Sequence, residues 1–160
     1  MLQLRARSLA DTHAIAAALA GLSRSGDLIV LAGEMGAGKT AFAQGFGAAL
    51  GVTDPITSPT FTLVHSYEAG RITLHHADIY RLSTHHEVAD LALSELVEYD
   101  GIVLIEWGDV VAQSLGDHLL VRLDHVDDDE DARAVTLSGS GRSWALRWER
   151  VTAAVGAFAC

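Results

Sequence analysis

Eight consecutive residues, Gly33-Glu34-Met35-Gly36-Ala37-Gly38-Lys39-Thr40, fit the spacing G-x-x-x-x-G-K-[ST] at every fixed position. Glycines at that spacing let the backbone curl until successive N–H groups point inward at phosphate oxygens. A helix starting at Lys39 adds its N-terminal donors and the positive end of its dipole to the same anion. Lys39 then reaches the β- and γ-phosphates of a nucleotide, and the Thr40 hydroxyl is a ligand for Mg²⁺. Four such matches arise by accident in roughly one chain of this length in 200, so the spacing is specific. Of the 11 basic residues, ten are Arg and Lys39 is the only Lys. A guanine-reading Asn-Lys-x-Asp motif needs a further lysine, so ATP is the nucleotide expected.

Such a site also needs an acidic group near the metal, carried at the end of a neighbouring strand. Two residues meet that requirement. Glu106 ends the apolar run Ile102-Val103-Leu104-Ile105, and Asp78 ends Ile72-Thr73-Leu74-His75-His76-Ala77.

The elements that must hold these groups are legible in the apolar pattern. Leu28-Ile29-Val30-Leu31-Ala32 is a continuous apolar run, as expected for a strand buried on both faces, and it feeds directly into the glycine loop. A helix is expected from about Lys39 to Leu50. Leu2 and Leu4 alternate with polar residues, which suits an opening strand. Ser8 is a good N-cap for a helix through Leu19, with Gly21 as its stop. Thr62–Glu68 and Ile72–Ala77 suit a hairpin turning at Ala69-Gly70. A partly helical segment is expected over His85–Tyr99, and a second buried strand over Gly101–Ile105. Strands at Leu119–Leu123 and Arg133–Leu137 should flank a solvated acidic loop, Asp127–Asp131, and an amphipathic helix over Ser143–Phe158 should close the chain. The fold class expected is α/β: a single P-loop NTPase-type domain spanning 1–160, with a mixed, mainly parallel central sheet flanked by helices.

Composition excludes several function classes. At 160 residues and 49% apolar, the chain can build a core and is not a disordered protein. With 21 acidic residues against 11 basic, the net charge is −10, which argues against direct clamping of DNA or RNA. No apolar run approaches the roughly 20 residues that span a bilayer. Cys160 is the single cysteine, so no intramolecular disulfide forms. A cytoplasmic protein is expected. His75-His76 and His85-His86 invite a metal reading, but neighbours on a strand point to opposite faces. Surface or hydrogen-bonded histidines are the simpler expectation.

Beyond the phosphate loop, Ser58-Pro59-Thr60-Phe61-Thr62-Leu63-Val64, His76-Ala77-Asp78-Ile79-Tyr80-Arg81-Leu82 and Ile105-Glu106-Trp107 follow in order. With these motifs the chain, from about Ser8 to Leu137, resembles the TsaE (YjeE) family of bacterial tRNA threonylcarbamoyladenosine (t6A) synthesis. The resemblance implies a small ATPase with Mg²⁺ that works with TsaB and TsaD on the adenosine beside the anticodon, regulating or resetting that pair and meeting tRNA only through the complex. By the same resemblance, Thr40 and Glu106 hold the metal and Gly36, Ala37, Gly38, Lys39, Thr40 and Ala41 surround the phosphates. Thr60 lies in a switch-like loop, where a hydroxyl can sense a γ-phosphate. Asp78 matches the family's functional acid and Trp107 its aromatic position, while Ser8, Thr12 and Arg133 sit where the family contacts the nucleotide. Met35 stands where the family usually has Leu, and Thr84-His85-His86-Glu87 replaces its Pro-Glu-Glu pattern. Two other readings of the residues stay open: a P-loop small-molecule kinase, whose arginine-rich lid has no counterpart among the dispersed arginines, and a nucleotide-gated adaptor.

Overall fold

The structure, a computed structural model, describes residues 1–57, 64–70, 72–78, 101–106 and 116–160. Thr60, Trp107, residues 62–63 of the first expected hairpin strand, His85-His86 and the helical stretch expected over 85–99 lie outside the described residues.

Seven strands form one sheet: β1 (Leu2–Ala6), β2 (Leu28–Ala32), β3 (Val64–Ala69), β4 (Ile72–Asp78), β5 (Gly101–Glu106), β6 (His118–Val126) and β7 (Asp129–Ser140). Their spatial order is β1-β7-β6-β2-β5-β4-β3. The four central strands β6, β2, β5 and β4 run parallel, whereas β3, β7 and β1 are antiparallel to their neighbours. This is the α/β class with a mixed sheet that the pattern implies. β2 and β5 are buried along their whole lengths, as their unbroken apolar runs require. The β3–β4 hairpin turns at Gly70, whose φ of 69° suits glycine.

Helices α1 (Leu9–Leu22) and α2 (Lys39–Leu50) pack on each other and on the sheet. In α1, Thr12, Ile15, Ala16, Leu19 and Ala20 form the buried stripe, spaced as one helical face requires. Ser8 caps it, its Oγ accepting the Asp11 N–H at 3.2 Å, and the Asp11 carboxylate accepts the Arg7 N–H at 2.9 Å. The helix passes Gly21 and ends at Ser23, later than the expected stop. Gly21 stays helical, and the Ser23 N–H and Oγ satisfy the carbonyls of Ala20 and Leu19 instead. In α2, Phe42 and Phe46 are fully buried one turn apart with their rings stacked at 6.2 Å. Each such ring contributes about 1.5–3 kcal/mol by leaving water.

Two expectations near the C-terminus are corrected. The acidic segment is the solvated hairpin reversal expected, but its turn is shorter, confined to Asp127-Asp128. Asp129–Asp131 already belong to β7, and Asp128 takes φ 71° at the reversal. The closing helix is broken into α3 (Arg142–Ala145), α4 (Trp148–Ala154) and a 3₁₀ turn (Gly156–Phe158). The break lies at Arg147. The Ser143 carbonyl, which a continuous helix would offer to the Arg147 N–H, accepts Arg147 Nε at 3.2 Å, and the Arg147 N–H bonds Trp144 O instead. The guanidinium then forms a buried two-pronged pair with Asp27, at 2.7 and 2.8 Å, and lies 3.8 Å over the Trp144 ring. No described helix is long and apolar enough to cross a membrane.

Candidate functional site

Because β2, β4 and β5 run parallel, whatever follows each of them emerges at one edge of the sheet. The glycine loop follows β2, Asp78 ends β4 and Glu106 ends β5. Asp78 and Glu106 are direct register partners, so two carboxylates distant in sequence stand side by side. The antiparallel strands deliver more to the same edge. β7 starts where β6 ends, with Arg133 opposite His125, and β1 ends where β7 starts, with Ala6 opposite Arg133. Hence α1, with Ser8 and Thr12 at its beginning, also departs from this edge.

The loop is held by its glycines. Gly33 has φ 137°, and a Cβ there would lie 2.2 Å from the Leu123 carbonyl oxygen, so the loop must leave β2 pressed against the β6 backbone. Gly36 and Gly38 take φ 81° and 107°, which places Gly38 in the left-handed conformation as the residue capping α2. Lys39 is 6% exposed, and its Nζ donates to Gly33 O at 2.7 Å and Glu34 O at 2.9 Å. The ammonium therefore closes the loop on itself and sits at its centre. Arg133 braces the loop from β7, with Nε donating to Ala37 O at 2.9 Å and Nη1 to the carbonyls of Glu130 and Ala132.

Across from the loop, the Thr40 hydroxyl donates to Glu106 Oε1 at 3.4 Å. Glu106 is 2% exposed. Burying a carboxylate is costly unless partners or a cation compensate. Thr40 and Glu106 form an all-oxygen donor set, the chemistry that suits Mg²⁺ rather than a thiolate- or imidazole-preferring metal. The residues present therefore fit that ion. Among the described residues no cluster of three or more His, Cys, Asp or Glu suits another metal site.

Of the residues singled out by sequence, Gly36, Ala37, Gly38, Lys39, Thr40, Ala41, Asp78, Glu106 and Arg133 all come together at this edge. Ser8 and Thr12 begin α1 from the same edge. The Ser8 hydroxyl is engaged as the helix cap, and the buried Thr12 hydroxyl donates to Ser8 O at 3.5 Å. Among the described residues neither hydroxyl is hydrogen-bonded to the loop. The adjacent histidines of β4 separate to opposite faces, and both are buried, so neither is a surface residue. His75 Nδ1 meets Ser66 Oγ at 2.7 Å, and its ring lies on Gly101, where a Cβ would come within 2.4 Å of Cδ2. Burial lowers the His75 pKa. His76 Nε2 stands 3.3 Å from Glu106 Oε2. Sequence reasoning passed over His76, although its place two residues before Asp78 on a strand puts it on the same face as the site.

A family model described as "Threonylcarbamoyl adenosine biosynthesis protein TsaE" matches residues 6–135. The tRNA threonylcarbamoyladenosine biosynthesis protein TsaE of Bacillus subtilis is 35% identical over 155 residues, covering 95% of this chain and 96% of that protein. The protein of the same name from Streptomyces coelicolor is 41% identical over 133 residues, 79% of this chain and 89% of the relative. Among solved structures, that of Bacillus subtilis YdiB superposes with a TM-score of 0.77 at 30% identity, covering 95% of this chain and 94% of the other.

Proposed function

The chain belongs to the TsaE family of threonylcarbamoyl adenosine biosynthesis proteins, and from that premise we propose that it is a Mg²⁺-dependent ATPase that supports t6A formation on tRNA by regulating or resetting a TsaD–TsaB transferase. The observation that carries this reading is the meeting of the phosphate loop with a buried acid: Thr40 Oγ1 and Glu106 Oε1 are 3.4 Å apart although 66 residues separate them.

In this reading the loop N–H groups from Gly36 to Ala41 wrap the phosphates of ATP, and Lys39 exchanges two neutral carbonyl acceptors for phosphate oxygens. That exchange is favourable because an anionic phosphate oxygen attracts the ammonium as a full opposite charge, which a neutral carbonyl does not. Thr40 and Glu106 would hold Mg²⁺, which would supply charge neutralisation at the phosphoryl oxygens. Asp78 is the second carboxylate at the same edge, Thr60 senses the γ-phosphate, and Arg133, Ser8 and Thr12 contact the nucleotide. The whole chain, 1–160, works as one domain in the cytoplasm. A net charge of −10 disfavours a direct grip on tRNA, so tRNA is met through the protein partners.

Product analysis with γ-labelled ATP tests the reading. We expect free phosphate, released slowly by the protein alone and faster with TsaB and TsaD. In Lys39→Ala the rate should fall by about a hundredfold or more. A phosphorylated metabolite as product, or undiminished hydrolysis in Lys39→Ala, would overturn it.

A further inference from the structure

Resting on the reading of Glu106 as the metal-side carboxylate, we propose that His76 is a positioning residue that holds one oxygen of Glu106 so that the other faces Thr40. Three observations carry this. First, His76 is 0% exposed, and neither ring nitrogen makes an aligned hydrogen bond. A buried polar ring without such bonds is unfavourable, and an apolar side chain would fill a strand position between Leu74 and Asp78 without that cost. Secondly, its Nε2 lies 3.3 Å from Oε2 of the Glu106 carboxylate, at ion-pair distance. Thirdly, the opposite oxygen of that carboxylate, Oε1, accepts from Thr40. Glu106 is therefore approached at both oxygens, by His76 of β4 on one side and by Thr40 in the first turn of α2 on the other. A carboxylate held at one end only can rotate about its last torsion, which is broad and roughly two-fold. Contact with His76 removes that freedom before any cation arrives, in the way outer partners orient metal ligands. The register explains the reach. His76 pairs with Leu104, two residues before Glu106, and side chains at that spacing share a face.

The test is the Mg²⁺ dependence of binding of a fluorescent ADP analogue, measured in EDTA and along a Mg²⁺ titration, with wild type, His76→Gln, His76→Asn, His76→Leu and Glu106→Gln. A glutamine amide reaches as far as Nε2, whereas asparagine stops short. In EDTA all three His76 variants should bind the analogue within about twofold of wild type, because the loop itself is untouched, whereas the Mg²⁺ midpoint should rise about tenfold in His76→Asn and His76→Leu and stay within about threefold in His76→Gln. Loss of affinity in EDTA as well as in Mg²⁺, or an unmoved midpoint in His76→Asn, would overturn the proposal. Should His76→Leu fail to fold, the comparison of Asn with Gln still decides. An unmoved midpoint in Glu106→Gln would instead remove the reading of Glu106 on which the proposal rests, and the proposal with it. A midpoint moved by Glu106→Gln but by neither Asn nor Leu removes the role of His76 alone.

Discussion

Lys39 Nζ donates to two backbone carbonyls of its own loop. It therefore acts as a structural latch until a phosphate offers a charged acceptor in their place. Its place in the loop was legible in the sequence because the motif is local: the seven residues from Gly33 to Lys39 contain both the lysine and the carbonyls it touches. The partnership of His76 with Glu106 was not, because thirty residues separate them and only strand register brings them to 3.3 Å. His75, its neighbour on the other face, makes a separate prediction. Burial keeps its imidazole below the ordinary 6.5, so the unfolded chain takes up a proton near that pH while the folded chain resists it. Stability from this group is complete above about pH 6.5 and is lost as the pH falls through and below it. Melting temperatures measured from about pH 7.5 down to 5.5 should decline more steeply in wild type than in His75→Asn, whose side chain does not titrate. Parallel profiles would exclude the effect.

At the scale of elements, the two long helices meet at a glycine. A Cβ on Gly45 would lie 2.8 Å from His13 Cα and 3.1 Å from His13 O, so α1 and α2 approach closely only while that position is bare. Since α2 opens with Lys39 and Thr40, this contact also sets where the loop's helix lies. Gly45→Ala should destabilise the protein by about 1–3 kcal/mol, as overpacking against rigid backbone does. Gly21→Ala should stabilise it by roughly 0.5–1 kcal/mol, because Gly21 is helical with open space around it. Urea midpoints of the two variants should thus move in opposite directions. Sequence placed Gly45 in a helical stretch and read Gly21 as the stop after one. It assigned no packing role to Gly45. Whether a glycine ends a helix, rides along it or admits a neighbour depends on what lies opposite, and that is a tertiary fact.

For the whole molecule, the C-terminal segment acts as a clamp on the sheet. Asp27 immediately precedes β2, and Arg147 grips it from the break between α3 and α4 while also donating to Leu22 O at the end of α1. The clamp closes one end of β2, and the phosphate loop leaves the other. Arg147→Met should therefore cost about 3–5 kcal/mol by leaving a buried carboxylate unpaired, and adding Asp27→Leu should recover part of the loss. Nucleotide affinity of the folded variants should stay at the wild-type value. A stability loss below about 1 kcal/mol in chemical denaturation would show the pair to be incidental. By itself the sequence determined the phosphate loop, the buried strands before it and before Glu106, the α/β class and the family resemblance, because each rests on residues close together or on a periodic pattern. Only the tertiary structure decided that Asp78 and Glu106 are neighbours, that Arg133 braces the loop, that His76 lies beside Glu106 and that the closing helix breaks at Arg147. Those facts depend on strand order, register and buried partners, which follow from how the whole chain satisfies its polar groups and fills its core at once.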